Sequence, residues 1–192
     1  MTEKALNIIG GRHVSSISGK TIRSINPADT SSVIGTIPAS IPADVDAAVR
    51  SARAAFDGWR LTPAPKRGEI LFRAAELIQR NKDELGRLVT REMGKVIAEG
   101  LGDVQEAIDM AYYMAGEGRR LSGETVFSEL PFKDCKSVRV PIGVFGLITP
   151  WNFPVAIPAW KIFPALISGN TLVFKPSSYT GVCAARLCEL IT

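Results

Sequence analysis

Between Pro42 and Met114 apolar side chains recur with a helical period, and on either side of that region they gather into short runs instead. Pro42-Ala43-Asp44 opens the first of the predicted helices, with Val45, Ala48, Val49, Ala52, Phe56 and Trp59 on one stripe and Arg50, Arg53 and Asp57 turned elsewhere. A second helix is expected from about Lys66 to Arg80, burying Ile70, Leu71, Ala74, Leu77 and Ile78. Asn81 followed by Glu84 reads as a capping box for a third, which carries Leu85, Leu88 and Val89 to Met93-Gly94. A fourth begins near Val96 and bears Leu101, Val104, Ile108, Ala111 and Met114 at helical spacing. Met110, Tyr112, Tyr113 and Met114 are assigned to packing rather than to a ligand pocket.

The runs on the amino side, Ile8-Ile9, Thr21-Ile22 and Val33-Ile34-Gly35-Thr36-Ile37, lie in a Gly, Ser and Thr-rich background and predict a small β preamble, with Asn26-Pro27-Ala28-Asp29-Thr30 as a turn. On the carboxyl side Ser122-Gly123 breaks the helical pattern. Glu124 to Leu130 and Lys136 to Val140 are β-prone and separated by Pro131-Phe132-Lys133-Asp134, the pattern of a hairpin. Gly143 to Ile148 is an apolar run of the kind buried on both faces of a parallel sheet. It stops at Thr149-Pro150. Trp151-Asn152-Phe153-Pro154 makes a turn, with Pro154 suited to the first helical position, and a helix from Val155 to Ser168 ends at Gly169-Asn170, residues that tolerate a left-handed helix terminus. Thr171 to Phe174 is again β-prone, completing a βαβ unit, and Tyr179 to Thr192 begins another helix with Val182, Ala185 and Leu190 inward. The predicted parallel sheet has two strands and no successor to bury its edge.

Ligands of open α/β sheets collect at the carboxyl ends of the strands, which directs attention to Ile148 to Asn152 and to Lys175 to Ser178, both polar where the strands run out. In a dinucleotide fold the end of the second strand meets the adenosine ribose, often through a carboxylate. Here Lys175, Ser177 and Ser178 stand instead, a cation with two small neutral groups, a set that admits a ribose 2′-phosphate as well as a free hydroxyl. No G-x-G-x-x-G follows the first strand, so a cofactor's phosphates must be held in another way.

The composition narrows the function classes. At 192 residues, 46% hydrophobic and 22% charged, the chain is an ordinary globular one. Its formal charge of +4 comes from bases interleaved with acids, as in Arg50, Arg53, Asp57, Arg67, Glu69, Arg73 and Glu76, which indicates solvated helix faces and no nucleic-acid partner. The single histidine, His13, sits beside Gly10-Gly11-Arg12 in an expected turn, and no metal site is expected. Cys135, Cys183 and Cys188 form no C-x-x-C pair, and their odd number points to a reducing compartment, hence the cytoplasm. Met1 to Asn7 lacks the apolar core of a targeting signal. The uncharged window from Val140 to Trp160 is long enough to span a bilayer, yet Pro141, Pro150, Pro154 and Pro158 would leave backbone groups unsatisfied in lipid, so no membrane attachment is expected.

Thr149-Pro150-Trp151-Asn152-Phe153-Pro154 after one strand and Lys175-Pro176-Ser177 after the next resemble the aldehyde dehydrogenase superfamily, in which T-P-W-N-F-P and K-P-[AS]-E occupy these places. The resemblance runs over essentially the whole length, but to the amino-terminal portion of the family's chain only. It extends to the segment Asn26-Pro27-Ala28-Asp29 and to Glu92-Met93-Gly94-Lys95, which is assigned architecture rather than catalysis. It implies an incomplete aldehyde dehydrogenase-like α/β fold: helical support, the first βαβ of a Rossmann-like parallel sheet and a projecting β-hairpin. The implied division is 1–121 for the β preamble and helical part of the cofactor domain, 122–141 for an oligomerisation-type hairpin, and 142–192 for the start of the NAD(P)-binding unit.

By the same resemblance Asn152 donates its side-chain amide to the oxyanion formed when a cysteine thiolate attacks an aldehyde, an interaction worth roughly 3 kcal/mol in the transition state. Ile148, Thr149, Pro150 and Trp151 line the cofactor pocket, and Lys175, Ser177 and Ser178 meet the adenosine ribose. Ser178 departs from the family's usual Glu, which removes both a hydroxyl acceptor and a repulsion against a 2′-phosphate, so the expected cofactor is NAD or NADP. The implied activity is NAD(P)-dependent oxidation of an aldehyde to a carboxylic acid through a thiohemiacetal, by a homo-oligomer when complete. The run Arg91 to Gly123 is similar to that of semialdehyde-oxidising members. The family's nucleophile and general base fall outside the matched portion, so this chain alone is expected to be inactive. The alternative is a shortened, non-catalytic paralogue or gene remnant that binds full-length subunits.

Overall fold

The computed structural model describes residues 3–192. Met1 and Thr2, part of the segment read for a targeting signal, lie outside the described residues. The preamble is five short strands: β1 (Glu3–Lys4), β2 (Asn7–Ile9), β3 (Arg12–Val14), β4 (Thr21–Ile25) and β5 (Val33–Pro38). β5 is central in a three-stranded sheet, parallel to β1 and antiparallel to β4, while β2 and β3 form a separate hairpin across Gly10-Gly11. His13 is thus an exposed strand residue on β3, just past the turn in which it was expected. The Asn26 turn forms as its residues dictate: Asn26 Oδ1 accepts from Ala28 N at 2.9 Å and Asn26 N donates to Ser32 O at 3.0 Å.

Four helices follow, α1 (Pro42–Leu61), α2 (Ala64–Arg80), α3 (Lys82–Met93) and α4 (Ile97–Glu117). Then come the hairpin strands β6 (Thr125–Phe127) and β7 (Asp134–Lys136), and the unit β8 (Val144–Ile148), α5 (Ala156–Ile167), β9 (Thr171–Lys175). A short 3-10 turn at Ser178–Thr180 leads into α6 (Gly181–Ile191). One apolar core joins Ile34 and Ile37 of β5 to Leu71 and Ile78 of α2, Leu85 and Val89 of α3, Val104 and Ile108 of α4, Phe163 of α5 and Leu187 of α6. The expected helices and the βαβ unit are all present, as is the left-handed glycine at the end of α3, Gly94 (φ +86°). An added Cβ there would lie 2.7 Å from Pro27 Cγ, so the preamble turn packs directly on this helix end.

Several expectations change. The second hairpin strand is at Asp134–Lys136 rather than Lys136 to Val140, because Thr125 pairs with Lys136 and leaves Val138 and Val140 exposed. β8 is not buried on both faces: only Leu147 of its residues is buried, and Ile148 is 75% exposed. α5 starts at Ala156, so Pro154 lies in the preceding turn and not at the first helical position. On α2 the buried set is Arg67, Gly68, Leu71, Ala74, Ala75 and Ile78, while Ile70 and Leu77 are exposed. On α1 the single buried residue is Asp44, and Val45 is exposed. The capping box at Asn81 does not form. Asn81 ends α2, and its side chain turns back to donate to Leu77 O at 2.7 Å.

The buried charges share one logic. Asp44 accepts from Ile41 N (2.8 Å) at the start of α1, and Glu92 accepts from Val182 N (2.9 Å) and Cys183 N (2.7 Å) at the start of α6. Asp103 accepts from Ala156 N (2.7 Å) at the start of α5, and Arg67 donates to Ile167 O (3.0 and 3.1 Å) at its end. Each charge meets the helix end of opposite partial charge, and each satisfies backbone groups that the helix cannot pair internally. Arg67, placed by its sequence context on a solvated face, is buried for this reason; it also bonds Thr62 O.

Candidate active site

The parallel pairing of β8 with β9 runs in register from Val144 opposite Thr171 to Ile148 opposite Lys175. Asn170 fixes its start. Its Oδ1 accepts from Ile142 N (2.7 Å) and Gly143 N (3.0 Å), and its Nδ2 donates to Ala165 O (3.2 Å), so the end of α5 and the entrance to β8 are tied by one buried amide. Gly169 before it is left-handed (φ +88°), which turns the chain back from α5 into β9. Trp59 Nε1 on α1 donates to Leu166 O (3.0 Å), and Thr171 Oγ1 donates to Ala52 O (2.9 Å), anchoring the unit to the helical support.

At the carboxyl ends the structure brings Ile148 and Lys175 side by side. Thr149 N still reaches Lys175 O at 3.4 Å, after which the two chains part. Ile148, Pro150 and Trp151 are exposed there, as are Lys175 and Ser178. The Lys175 ammonium makes no hydrogen bond or ion pair among the described residues, and neither does the half-buried Asn152 side-chain amide. Ser177 is committed locally: its Oγ accepts from Tyr179 N (3.2 Å), capping the 3-10 turn. Thr149 is buried, and its hydroxyl has no hydrogen-bond partner among the described residues. Of the candidate residues, then, Ile148 and Lys175 are paired at the strand ends, Pro150, Trp151 and Ser178 are exposed within three residues of them along the chain, Asn152 is half-buried in the turn after β8, and the Thr149 side chain is buried.

Two residues behind this turn carried no site assignment in the sequence reading. Lys95 Nζ donates to Asn152 O at 2.9 Å and lies 4.2 Å from the centroid of the Phe153 ring, which in turn stacks on Trp160 at 6.4 Å. Asp103, 1% exposed, holds Ala156 N through Oδ1, while its Oδ2 has no hydrogen-bond partner among the described residues. Burial pushes the Asp103 carboxyl up from its ordinary value; the Ala156 N–H and the Lys95 ammonium pull against that. The signal was available: Asp103, Ala107 and Ala111 recur every four residues along the inward side of α4, and a carboxylate on that line is out of place unless it has a task.

The cysteines are elsewhere. Cys135 is on β7, Cys183 is buried in the core, and the Cys188 thiol is pushed up to about 12 by burial beside Glu189, the reverse of what a thiolate nucleophile needs. Among the described residues no cluster of His, Cys, Asp and Glu suits a metal ion, and no helix is long and apolar enough to cross a membrane. A groove of about 940 Å³ opens beside the same sheet, lined by residues 145–148 of β8 and by Arg67, Arg139, Trp160 and Lys161. It follows the edge of β8 away from β9 and meets the candidate residues only at Ile148, containing neither Asn152 nor Lys175.

Comparison with known proteins bears on this geometry. A model of the aldehyde dehydrogenase family matches residues 13–192. The α-ketoglutaric semialdehyde dehydrogenase of Bacillus subtilis is 41% identical over 182 residues, 95% of this chain and 37% of that protein. The crystal structure of an NAD-dependent aldehyde dehydrogenase from Sinorhizobium meliloti superposes with a TM-score of 0.96 at 35% identity, covering all of this chain and 38% of the other. An NADP-dependent enzyme from E. coli superposes at 0.94 with 36% identity, over 99% of this chain and 39% of the other. The chain thus spans under two fifths of the length of the proteins it matches.

Proposed function

We propose, from the premise that this chain belongs to the aldehyde dehydrogenase family, that the polypeptide built on it oxidises an aldehyde to a carboxylic acid with NAD or NADP. One observation carries the reading: the Asn152 amide is unengaged in the turn that follows β8, a strand whose last residue, Ile148, pairs with Lys175. In this reading a thiolate adds to the aldehyde carbon and the carbonyl oxygen becomes an oxyanion. Asn152 Nδ2 donates to that oxygen, stabilising charge that exists only after attack, which is where binding lowers the barrier. A nicotinamide cofactor accepts the hydride when bound.

The strand ends fit such a group. Ile148 and Trp151 offer exposed apolar surface, Lys175 offers an uncompensated cation, and Ser178 is small enough to leave room for a 2′-phosphate. Cys183 is buried in the core and the Cys188 thiol is pushed up by burial, and in this reading the thiolate and the general base come from residues other than these 192. The division into 1–121, 122–141 and 142–192 belongs to the same reading. So does a semialdehyde as substrate, in keeping with the name of the Bacillus subtilis relative.

The test is to express the polypeptide specified by the coding sequence continued past Thr192, and to follow NAD(P)H formation with semialdehydes and with both cofactors. Aldehyde-dependent reduction of either cofactor is expected, with Asn152→Ala lowering kcat by roughly 10²–10³-fold. The 192-residue chain assayed alone should give none. No reduction by the longer polypeptide, or an Asn152→Ala variant as active as its parent, defeats the reading.

A second reading is favoured by the hairpin. Phe127 and Phe132 are fully exposed and Val126 and Leu130 are exposed with them, on the strands and connecting loop of a two-stranded sheet with no further partner strand among the described residues. Such an edge suits pairing with another subunit, and a shortened paralogue could use it to join full-length enzymes without doing chemistry. Co-purification with an active aldehyde dehydrogenase, and no activity in the longer polypeptide, would favour it.

A further inference from the structure

We propose that Lys95 and Asp103 are positioning residues for the Asn152 amide, gripping the 151–156 turn from outside the βαβ unit, Lys95 at the Asn152 carbonyl and Asp103 at the first helical N–H of α5. The inference rests on the reading of Asn152 as an oxyanion donor. An oxyanion donor is useful only if its N–H is held where the charge will develop, and a misplacement of about 1 Å costs on the order of 10²-fold. The turn has little of its own to hold it. Its recorded backbone bonds, Ile157 N to Phe153 O (3.2 Å) and Ala159 N to Val155 O (3.1 Å), belong to the start of α5 and leave the Asn152 peptide unanchored.

The anchor comes from the segment between α3 and α4. Gly94 ends α3 in a left-handed conformation, which releases Lys95 from the helix and sends its side chain across to the turn. There one ammonium makes two contacts on consecutive residues, donating to the carbonyl of Asn152 and lying over the ring of Phe153. The ring is backed by Trp160 of α5, so the two contacts tie the turn to the α3–α4 segment on one side while the ring stacks on α5 on the other. The second grip is Asp103. A fully buried carboxylate with one oxygen unpartnered is costly, and its retention inside an otherwise apolar face calls for a compensating task. Its other oxygen fixes Ala156 N at 2.7 Å, and with it the direction in which the turn enters α5.

The readout is the side-chain amide pair of Asn152 in the proton–nitrogen correlation spectrum of the full chain, assigned by its disappearance in Asn152→Ala. Lys95→Met keeps most of the stem but removes both contacts, and is expected to shift and broaden that pair. Lys95→Arg can still donate to the carbonyl and lie over the ring, and is expected to preserve it. Asp103→Asn, which keeps an oxygen for Ala156 N, should shift it less than Lys95→Met. In the aldehyde-oxidising polypeptide Lys95→Met should lower kcat by on the order of 10²-fold while KM for the aldehyde stays within about twofold, and Lys95→Arg should restore most of the loss.

The proposal is overturned if the Asn152 pair in folded Lys95→Met coincides with that of the parent, or if Lys95→Arg disturbs it as much as Lys95→Met does. Should Lys95→Met not fold, Lys95→Leu, which also removes both contacts, decides on the same terms. The oxyanion reading is judged separately. If Asn152→Ala leaves kcat unchanged, that reading falls while the spectra still report on the grip; if Asn152→Ala abolishes turnover and Lys95→Met changes nothing, the grip alone falls.

Discussion

Asp44 and Asp103 are both buried at helix amino termini, yet their proton affinities move in opposite directions. Asp44 accepts from Ile41 N, Ile17 N and Ser16 Oγ, and these bonds to the charged form hold its carboxyl below the ordinary 3.8. For Asp103 the cost of burial, with the repulsion of Glu106, outweighs the Ala156 N–H and the distant pull of Lys95. The linkage signs follow. For Asp44 the folded form releases its proton more readily than the unfolded one, so its stabilisation is present above 3.8 and is lost as pH falls through the folded value. For Asp103 the folded form binds the proton more tightly, so stability is greatest below 3.8 and declines as pH rises through the folded value. Denaturant midpoints measured across pH should therefore separate the two. Asp44→Asn removes a rise on the acid side of 3.8, and Asp103→Asn removes a decline on the other side; a pH profile for Asp103→Asn parallel to that of the parent would contradict the assignment.

Among the elements, α6 depends on a residue far from it in the chain. Its amino terminus has no side-chain cap of its own, and Glu92 from α3 supplies one, bonding Val182 N, Cys183 N and the Ser24 hydroxyl of β4 at once (2.9, 2.7 and 2.8 Å). Glu92→Ala leaves three buried donors without an acceptor and should cost about 3 kcal/mol or more, read as a lowered denaturant midpoint at constant slope. This explains which elements were legible in the sequence. The order of helices, the strand–turn–helix–strand unit and the left-handed ends at Gly94 and Gly169 follow from period and glycine placement, which are local. What was missed is non-local. The buried face of α2 is set by Gly68, whose missing Cβ lets the helix approach Ala115 O of α4, and by Arg67 reaching Ile167 O, so the larger Ile70 and Leu77 are turned outward. β7 pairs where Asp134–Lys136 lies opposite Thr125–Phe127, a register that β-propensity alone does not fix. At the strand ends, the TPWNFP and KPS motifs gave the residue identities. The burial of Thr149 and the reach of Lys95 depend on how the turn packs against the α3–α4 segment, which no local pattern encodes.

At the scale of the whole molecule the two-stranded parallel sheet is the least settled part. Parallel sheets are ordinarily covered on both faces and extended by further strands, because an unpaired parallel edge presents N–H and C=O groups that only water can satisfy. Here α1 and α5 pack against β8 and β9, but β9 is the single partner strand of β8 among the described residues, and the groove of about 940 Å³ runs along the other edge of β8. The lining suits a neighbouring strand better than a small ligand, since four consecutive residues of β8 face it and the rest of the wall comes from α5, the segment entering β8 and the junction of α1 with α2. If residues outside these 192 place a strand there, the protection of β8 must be asymmetric in this chain and symmetric in the longer one. Hydrogen exchange tests this directly. In the 192-residue chain the β8 amides facing the groove should exchange at least about 10-fold faster than those facing β9, and in the longer polypeptide the difference should close. Equal protection of both edges in the shorter chain would mean that the sheet is already complete, and the proposal that this chain forms part of a larger catalytic unit would lose its structural support.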